Sequence, residues 1–244
     1  MEQQHELPPS TKSLNMATPP PPTPKKNVHI EIIADFSSGW CWVALRRLNA
    51  VIHQPSVQLK YNITVRHLPY LLNPSAPEAE ELMTMSSSTK PPVPSSFSTE
   101  LYQMAARVQL GNTVQFRSNN LARSASTVQS HCLLKYCEMM LPNDLSMQLK
   151  LADEIYNSFL GNGKYPTLQN LSKIAETHCD FEQEKVLQFL ETRDEEIQVR
   201  KEVYQYMKLG VKQLPFFVLN GKALFAGCQD PQMMQKALEV CPHM

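Results

Sequence analysis

The chain has 244 residues, 42% of them hydrophobic, which is enough for a substantial buried core. Its 23 basic and 23 acidic residues cancel, so no one-signed field points to nucleic acid or an anionic membrane surface. No apolar run approaches the roughly 20 residues that span a bilayer, and no charged flank precedes an apolar core at the N-terminus, so a soluble, cytoplasmic protein is expected.

Residues 1–27 hold Pro8, Pro9, the run Pro19 to Pro22 and Pro24, with few apolar residues between them. Such a segment buries too little surface to offset the entropy of ordering it, and a disordered Pro-rich tail is expected; a ligand for an aromatic-grooved module is the alternative. From Val28 to Phe36 the β-branched VHIEIIADF predicts a strand, and Val57 to Val65 predicts a second. Between them Cys41, Ala44, Leu45, Leu48 and Ile52 recur at helical spacing, and Gln54-Pro55 closes the segment. A helix of that length joining two strands is a crossover, so the strands are expected to be parallel.

The composition then changes. Ser86 to Ser98 reads as a loop, and helices are predicted around Val128–Met139, from Asn143 or Asp144 through Phe159, and around Leu168–Ala175. A long helix is predicted from about Phe181 to Leu209, with Asp180 and Gln183 spaced like a capping box and Gly210 as its C-terminal cap. The period returns to two at Pro215 to Leu219 and Ala223 to Ala226, joined by Asn220-Gly221, which marks a tight β-hairpin; Pro231 to Val240 closes the chain as a helix. The six cysteines are scattered through a chain large enough not to need staples, which favours free thiols. Cys132 and Cys137 fall on different faces of one helix, so no metal is expected.

This order, strand–helix–strand, a mostly helical middle, then hairpin and helix, is that of an α/β thioredoxin fold carrying a large all-helical insertion between its N-terminal βαβ and C-terminal ββα units. The corresponding boundaries are 28–76, 77–209 (with a Ser/Pro-rich loop at 84–98) and 210–244. Several segments carry a resemblance: Asp35 to Leu48, with Ser38-Gly39-Trp40-Cys41; His67 to Pro74; Thr127 to Leu134, with His131; and Leu209 to Gln229, containing Gly-Val-Lys-Gln-Leu-Pro-Phe-Phe-Val. Together they resemble the DsbA-like thioredoxin-fold family, in its cytosolic oxidoreductase branch. Kappa-class glutathione transferases and 2-hydroxychromene-2-carboxylate isomerases are its cousins. Two departures stand out: Ser38 occupies the place of the family's first cysteine, and Gly39 that of the following proline. That cysteine is the exposed, low-pKa nucleophile, so its loss implies that ordinary two-thiol exchange is absent.

The resemblance gives each candidate a functional reading beside a structural one. Ser38 is a favoured helix N-cap, and equally a hydroxyl able to donate to the thiolate of bound glutathione. Cys41 lies on the apolar stripe as a core cysteine, with single-thiol redox chemistry as its alternative. Trp40 shields the site or forms a substrate wall. Pro215 matches the family's cis-proline, which would let the Leu214 backbone pair with an extended thiol peptide. Gln229 matches the place where the cousins hold the γ-glutamyl end, and Cys228 beside it is a small turn residue. Asp35 is a solvated turn carboxylate or a proton acceptor beneath the site; His67 and His131 read as ordinary histidines. The resulting expectation is a glutathione- or thiol-peptide-dependent oxidoreductase-family protein acting on a small-molecule or thiol-peptide substrate. A transferase or isomerase using Ser38, and a non-catalytic binding module, are the alternatives. A homodimer is compatible with the sequence.

Overall fold

The computed structural model describes residues 24–85, 88–89, 103, 107, 114–116 and 125–240. Most of the Pro-rich tail and most of the 84–98 loop lie outside the described residues. Strand β1 (Lys26–Ala34) leads through a tight turn into helix α1 (Gly39–Ile52), a short helix α2 (Pro55–Gln58) and strand β2 (Tyr61–Pro69). Helices α3 (Ala79–Thr84), α4 (Val128–Met140), α5 (Leu145–Tyr156), α6 (Leu168–Cys179), α7 (Gln183–Thr192) and α8 (Asp194–Lys208) follow. Strands β3 (Phe216–Leu219) and β4 (Lys222–Ala226) and helix α9 (Pro231–Val240) complete the order.

The sheet runs β2-β1-β3-β4. As the crossover requires, β1 and β2 are parallel, from Lys26 opposite Tyr61 to Ala34 opposite Pro69. β3 lies antiparallel to β1, Ile33 facing Phe216, and the hairpin turns at Asn220 and Gly221, both with positive φ. β1 is therefore a central strand with both faces covered: Ile30 and Ile32 enter the main core, and Ile33 packs with Leu68, Tyr70 and Val211 on the other side.

Helix α1 is more enclosed than its stripe predicted. Trp42 and Val43 are buried along with Cys41, Ala44, Leu45, Leu48 and Val51, because α1 packs against both α5 and α9. The Trp42 indole pays for its burial with a hydrogen bond from Nε1 to Asp153 Oδ1 at 2.9 Å.

Two expectations are corrected. β2 begins at Tyr61, and Val57 sits instead in α2, because Pro55 at the first helical position presets a helical φ and favours one more turn. The long helix expected over 181–209 is two helices, broken at Arg193 in the left-handed conformation (φ 58°). The break lets Val186 and Leu190 on one segment, and Val199 and Val203 on the other, all reach the core. Asp180 is likewise left-handed and caps the end of α6, so the expected capping box does not form. Asp144 does cap α5, its carboxylate accepting the Met147 N–H at 3.0 Å.

Candidate functional site

The site is built where β1 stops. Ala34 is the last strand residue, and the Asp35 carboxylate then accepts three hydrogen bonds: from the Ser37 N–H (2.9 Å), the Leu72 N–H (2.6 Å) and the Thr127 hydroxyl (2.8 Å). It is buried, not the solvated turn group of the simpler reading. Burial raises its pKa, while the bonds from Leu72, Ser37 and Thr127 pull the other way. Asp35 thus clasps the turn to the segment after β2 and to the residue ahead of α4. Asp35→Ala strands three donors, each costing about 1–3 kcal/mol when buried and unpaired. The expected loss is about 3–5 kcal/mol, a fall in melting temperature on the order of 10 °C in a chain of this size. Thermal unfolding checks it; an unchanged midpoint would show that the clasp carries no stability.

Ser38 is the N-cap of α1: its backbone is extended, and its Oγ accepts the Cys41 N–H at 3.3 Å. No acidic residue lies in the first turn of α1, so the positive end of its dipole is not offset there. Cys41 is 1% exposed, and burial pushes its thiol up to about 12 despite the bonds from Ser38 and the Asp35 backbone. At neutral pH it is a thiol.

Against the same turn packs a buried aromatic group whose members lie far apart in the chain. Tyr156 donates its hydroxyl proton to the Asp35 carbonyl at 3.2 Å. His67 Nε2 lies 3.2 Å from the same hydroxyl oxygen, and the His67 Nδ1 has no hydrogen-bond partner among the described residues. Phe36 stacks on His67 and contacts His131 and Tyr156, with ring centroids 4.6–5.0 Å apart. His131 Nε2 lies 3.0 Å from the Tyr70 carbonyl. Burial lowers the His67 pKa to about 3 and holds His131 well below its ordinary value, so both rings are neutral.

On the far side, Ile33 near the end of β1 pairs with Phe216, the first residue of β3, and Leu214 and Pro215 stand immediately ahead of that strand. The Leu214–Pro215 bond is cis. The Pro215 carbonyl accepts the Gly227 N–H at 2.7 Å, whereas no backbone hydrogen bond of Leu214 occurs among the described residues. Trp40 is half-buried against the core. Arg47, buried on α1, donates to the carbonyls of Cys228 and Gln229 (3.4 and 3.0 Å) and to the Cys228 sulfur (3.1 Å). That cation fastens the loop after β4 to α1. Burial raises the Cys228 thiol to about 11, and the Arg47 guanidinium opposes the rise. The Gln229 amide donates to the Ala226 carbonyl at 2.9 Å and closes its own turn.

A DSBA-like thioredoxin domain matches residues 29–239. The chain belongs to that family. This DSBA-like chain is similar in fold to the crystal structure of a probable DsbA oxidoreductase from Streptomyces coelicolor, at 19% identity and a TM-score of 0.65, covering 88% of this chain and 90% of the other. It is also similar to a 2-hydroxychromene-2-carboxylate isomerase, at 13% identity and a TM-score of 0.62, with 88% and 97% covered. The cytosolic disulfide reductase DsbM from Pseudomonas aeruginosa, in a structure with GSH, shares 13% identity and a TM-score of 0.58, with 88% and 100% covered. No curated protein sequence matches the chain.

Of the sequence-predicted residues, the DSBA-like fold gathers Asp35, Ser38 and Cys41 into one hydrogen-bonded turn. It sets Leu214 and Pro215 just ahead of the adjoining strand β3 and Gln229 in the loop that Arg47 fastens. Arg47, Thr127 and the Tyr156–His67 pair escaped sequence reasoning. Only an ionic side chain beside Leu48 of the apolar stripe hinted at Arg47. A groove of about 1100 Å³ lies elsewhere, along the later turns of α1, the first half of β2 and the start of α5, and includes none of the predicted site residues. Among the described residues there is no group of three or more side chains suited to a metal ion, and no helix long and apolar enough to cross a membrane.

Proposed function

We propose that this DSBA-like protein binds glutathione or a related thiol peptide beside Ser38, Trp40, Leu214 and Pro215, and supports glutathione-dependent transferase or isomerase chemistry on a second small molecule in the cytoplasm. The observation that carries this reading is the Ser38 hydroxyl, which caps α1 at its first turn, accepting the Cys41 N–H at 3.3 Å. A hydroxyl so placed at the positive end of a helix can donate its proton to a ligand thiolate, and a bond to a charged sulfur is a strong one. The Leu214 backbone, which has no backbone hydrogen bond among the described residues, can offer the strand-like hydrogen bonds that an extended peptide needs. Single-thiol redox chemistry at Cys41 fits less well, since a thiol pushed to about 12 supplies almost no thiolate at neutral pH. Likeness in fold to a disulfide reductase seen with GSH is compatible with this reading.

Calorimetry with reduced glutathione is the test. Binding in the millimolar range or tighter is expected, with an ultraviolet thiolate band from the bound sulfur. A hydrogen bond to a charged group contributes about 1.5–3 kcal/mol, so Ser38→Ala should raise the pKa of the bound thiol by about 1–2 units and erase the band at neutral pH. Absence of binding at millimolar glutathione removes the glutathione reading. Binding with an unchanged band in Ser38→Ala clears Ser38 of the role.

A further inference from the structure

The groove between α1, the first half of β2 and the start of α5 lies apart from the Ser38 site and runs beside an open sheet edge. β2 is the outermost strand, and the direction of its backbone groups is fixed at both ends. The Lys60 carbonyl accepts the Lys26 N–H at 2.9 Å, and the Tyr70 N–H donates to the Ala34 carbonyl at 3.0 Å. Even-numbered residues of β2 therefore bond to β1, and odd-numbered ones turn their N–H and C=O groups outward. The outward N–H of His67 donates to Gln148 Oε1 at 3.0 Å, which closes that end of the edge. Among the described residues, nothing takes the outward groups of Tyr61, Ile63 or Val65. The stretch Tyr61 to Val65 also contains no charge and no proline, the devices that ordinarily keep an edge from pairing.

We infer that this edge is covered by the chain's own stretch Ser13–Thr18, added to β2 as an antiparallel strand. Lys25, from which the chain enters β1, itself lines the groove, so the upstream residues start at its mouth. The upstream prolines stand at positions 8, 9, 19–22 and 24 and leave Ser10 to Thr18 free of them. There Leu14 and Met16 alternate with the small or polar Ser13, Asn15 and Ala17, which gives a strand one apolar face. That face matches the side on which Tyr61, Ile63 and Val65 pack, where the groove is walled by Leu45, Leu48 and Ile52 of α1 and Leu149 of α5.

The direction follows from the connection. β1 and β2 run the same way with Lys26 opposite Tyr61, so a strand that hands the chain to Lys25 has to end beside Tyr61. Two strand spacings, roughly 10 Å, separate it from β1. The six residues 19–24 reach about 19 Å at 3.1 Å each, enough to cross. The charges around the groove are already engaged: Arg46 pairs with Asp153, Lys150 donates to the His178 carbonyl, and Asp144 caps α5. An uncharged occupant fits such a lining, and Ser13–Thr18 has no charge. A second copy fits less well, since pairing two β2 edges about Ile63 sets the like charges of Lys60 and Arg66 opposite each other.

Hydrogen exchange of the full-length chain, read residue by residue by NMR, tests the inference. The Ile63 and Val65 amides should be protected, and joint replacement Leu14→Asp and Met16→Asp should speed their exchange about tenfold or more while Thr64 and Arg66, bonded to β1, keep theirs. Fast exchange of Ile63 and Val65 in the native chain would overturn the proposal. Protection unchanged by the double substitution would do the same, as would protection that rises with protein concentration, which assigns the edge to a second copy. Should the double variant not fold, nuclear Overhauser contacts from the Met16 methyl group to Ile63 or Val65 in the native chain decide: their presence is expected, and their absence overturns the proposal.

Discussion

Ser38→Cys is expected to switch on insulin-disulfide reduction that the native chain lacks. The Ser38 side chain caps α1 three residues ahead of Cys41, its hydroxyl accepting the Cys41 N–H, so a sulfur in its place restores a Cys-x-x-Cys pair at a helix N-terminus. The new thiol is the N-cap, where the helix dipole and the amides of the first turn favour an anion, and no carboxylate in that turn opposes it. Thiols at helix N-termini have pKa values of about 3.5–7.5 against about 8.5 for a free cysteine. At pH 7 an unperturbed thiol is only about 3% thiolate and one at pKa 6 about 90%, so reactivity rises on the order of thirtyfold from ionisation alone, before a gain from the adjacent Cys41 as resolving thiol. Turbidity from insulin reduction reads the gain, and the ultraviolet thiolate titration reads the pKa. A folded variant with no activity and an ordinary thiol pKa would show that position 38 is not placed for exchange, and robust reduction by the native chain would overturn the assignment of its chemistry.

The second large effect is a loss of stability in mild acid, from His67 and His131. Both rings are buried and neutral, and His67 is pushed down to about 3 by burial alone. A histidine whose folded pKa lies below its unfolded value, 6.5, contributes stability that is fully present above pH 6.5. It is lost as pH falls towards the folded pKa, since only the unfolded chain takes up the proton. Each ring then costs about 1.4 kcal/mol per pH unit below 6.5. At pH 5 the His67 ring alone costs about 2 kcal/mol and His131 adds to it in the same direction, a sizeable share of the 5–15 kcal/mol that holds a domain folded. Asp35 works in the opposite sense. Its folded pKa is raised, so its contribution is least favourable above that pKa and recovers as acid protonates it. Denaturant unfolding between pH 7.5 and 5 measures the slope, and His131→Gln should reduce it. A stability flat over that window would mean that the two histidines are protonated in the folded protein.

Both effects depend on a cluster whose parts were legible singly and not as a group. Ser38 and Cys41 announced themselves by standing between a β-branched strand and an apolar helical stripe, and Pro215 by opening a strand that an Asn-Gly turn returns. Tyr156 was visible only as one more apolar position of α5, and His67 as a residue in a loop. Neither periodicity nor spacing says that a ring 89 residues further along will lie 3.2 Å from the His67 nitrogen.

Local chemistry was enough for the elements themselves. Alternating β-branched residues gave β1, the crossover length made β2 parallel to it, and Asn220-Gly221 set the hairpin, because backbone preference and burial on one face are properties of short segments. Where a competing local preference lay close by, as at Pro55 and Arg193, the boundaries moved. What only the tertiary structure decided is the protonation state and the partner of each polar group: that Asp35 is clasped by three donors, that Cys41 stays a thiol, that two histidines stay neutral. Those follow from desolvation and from neighbours brought together across the whole chain, and neither quantity is written in the residues adjacent in sequence.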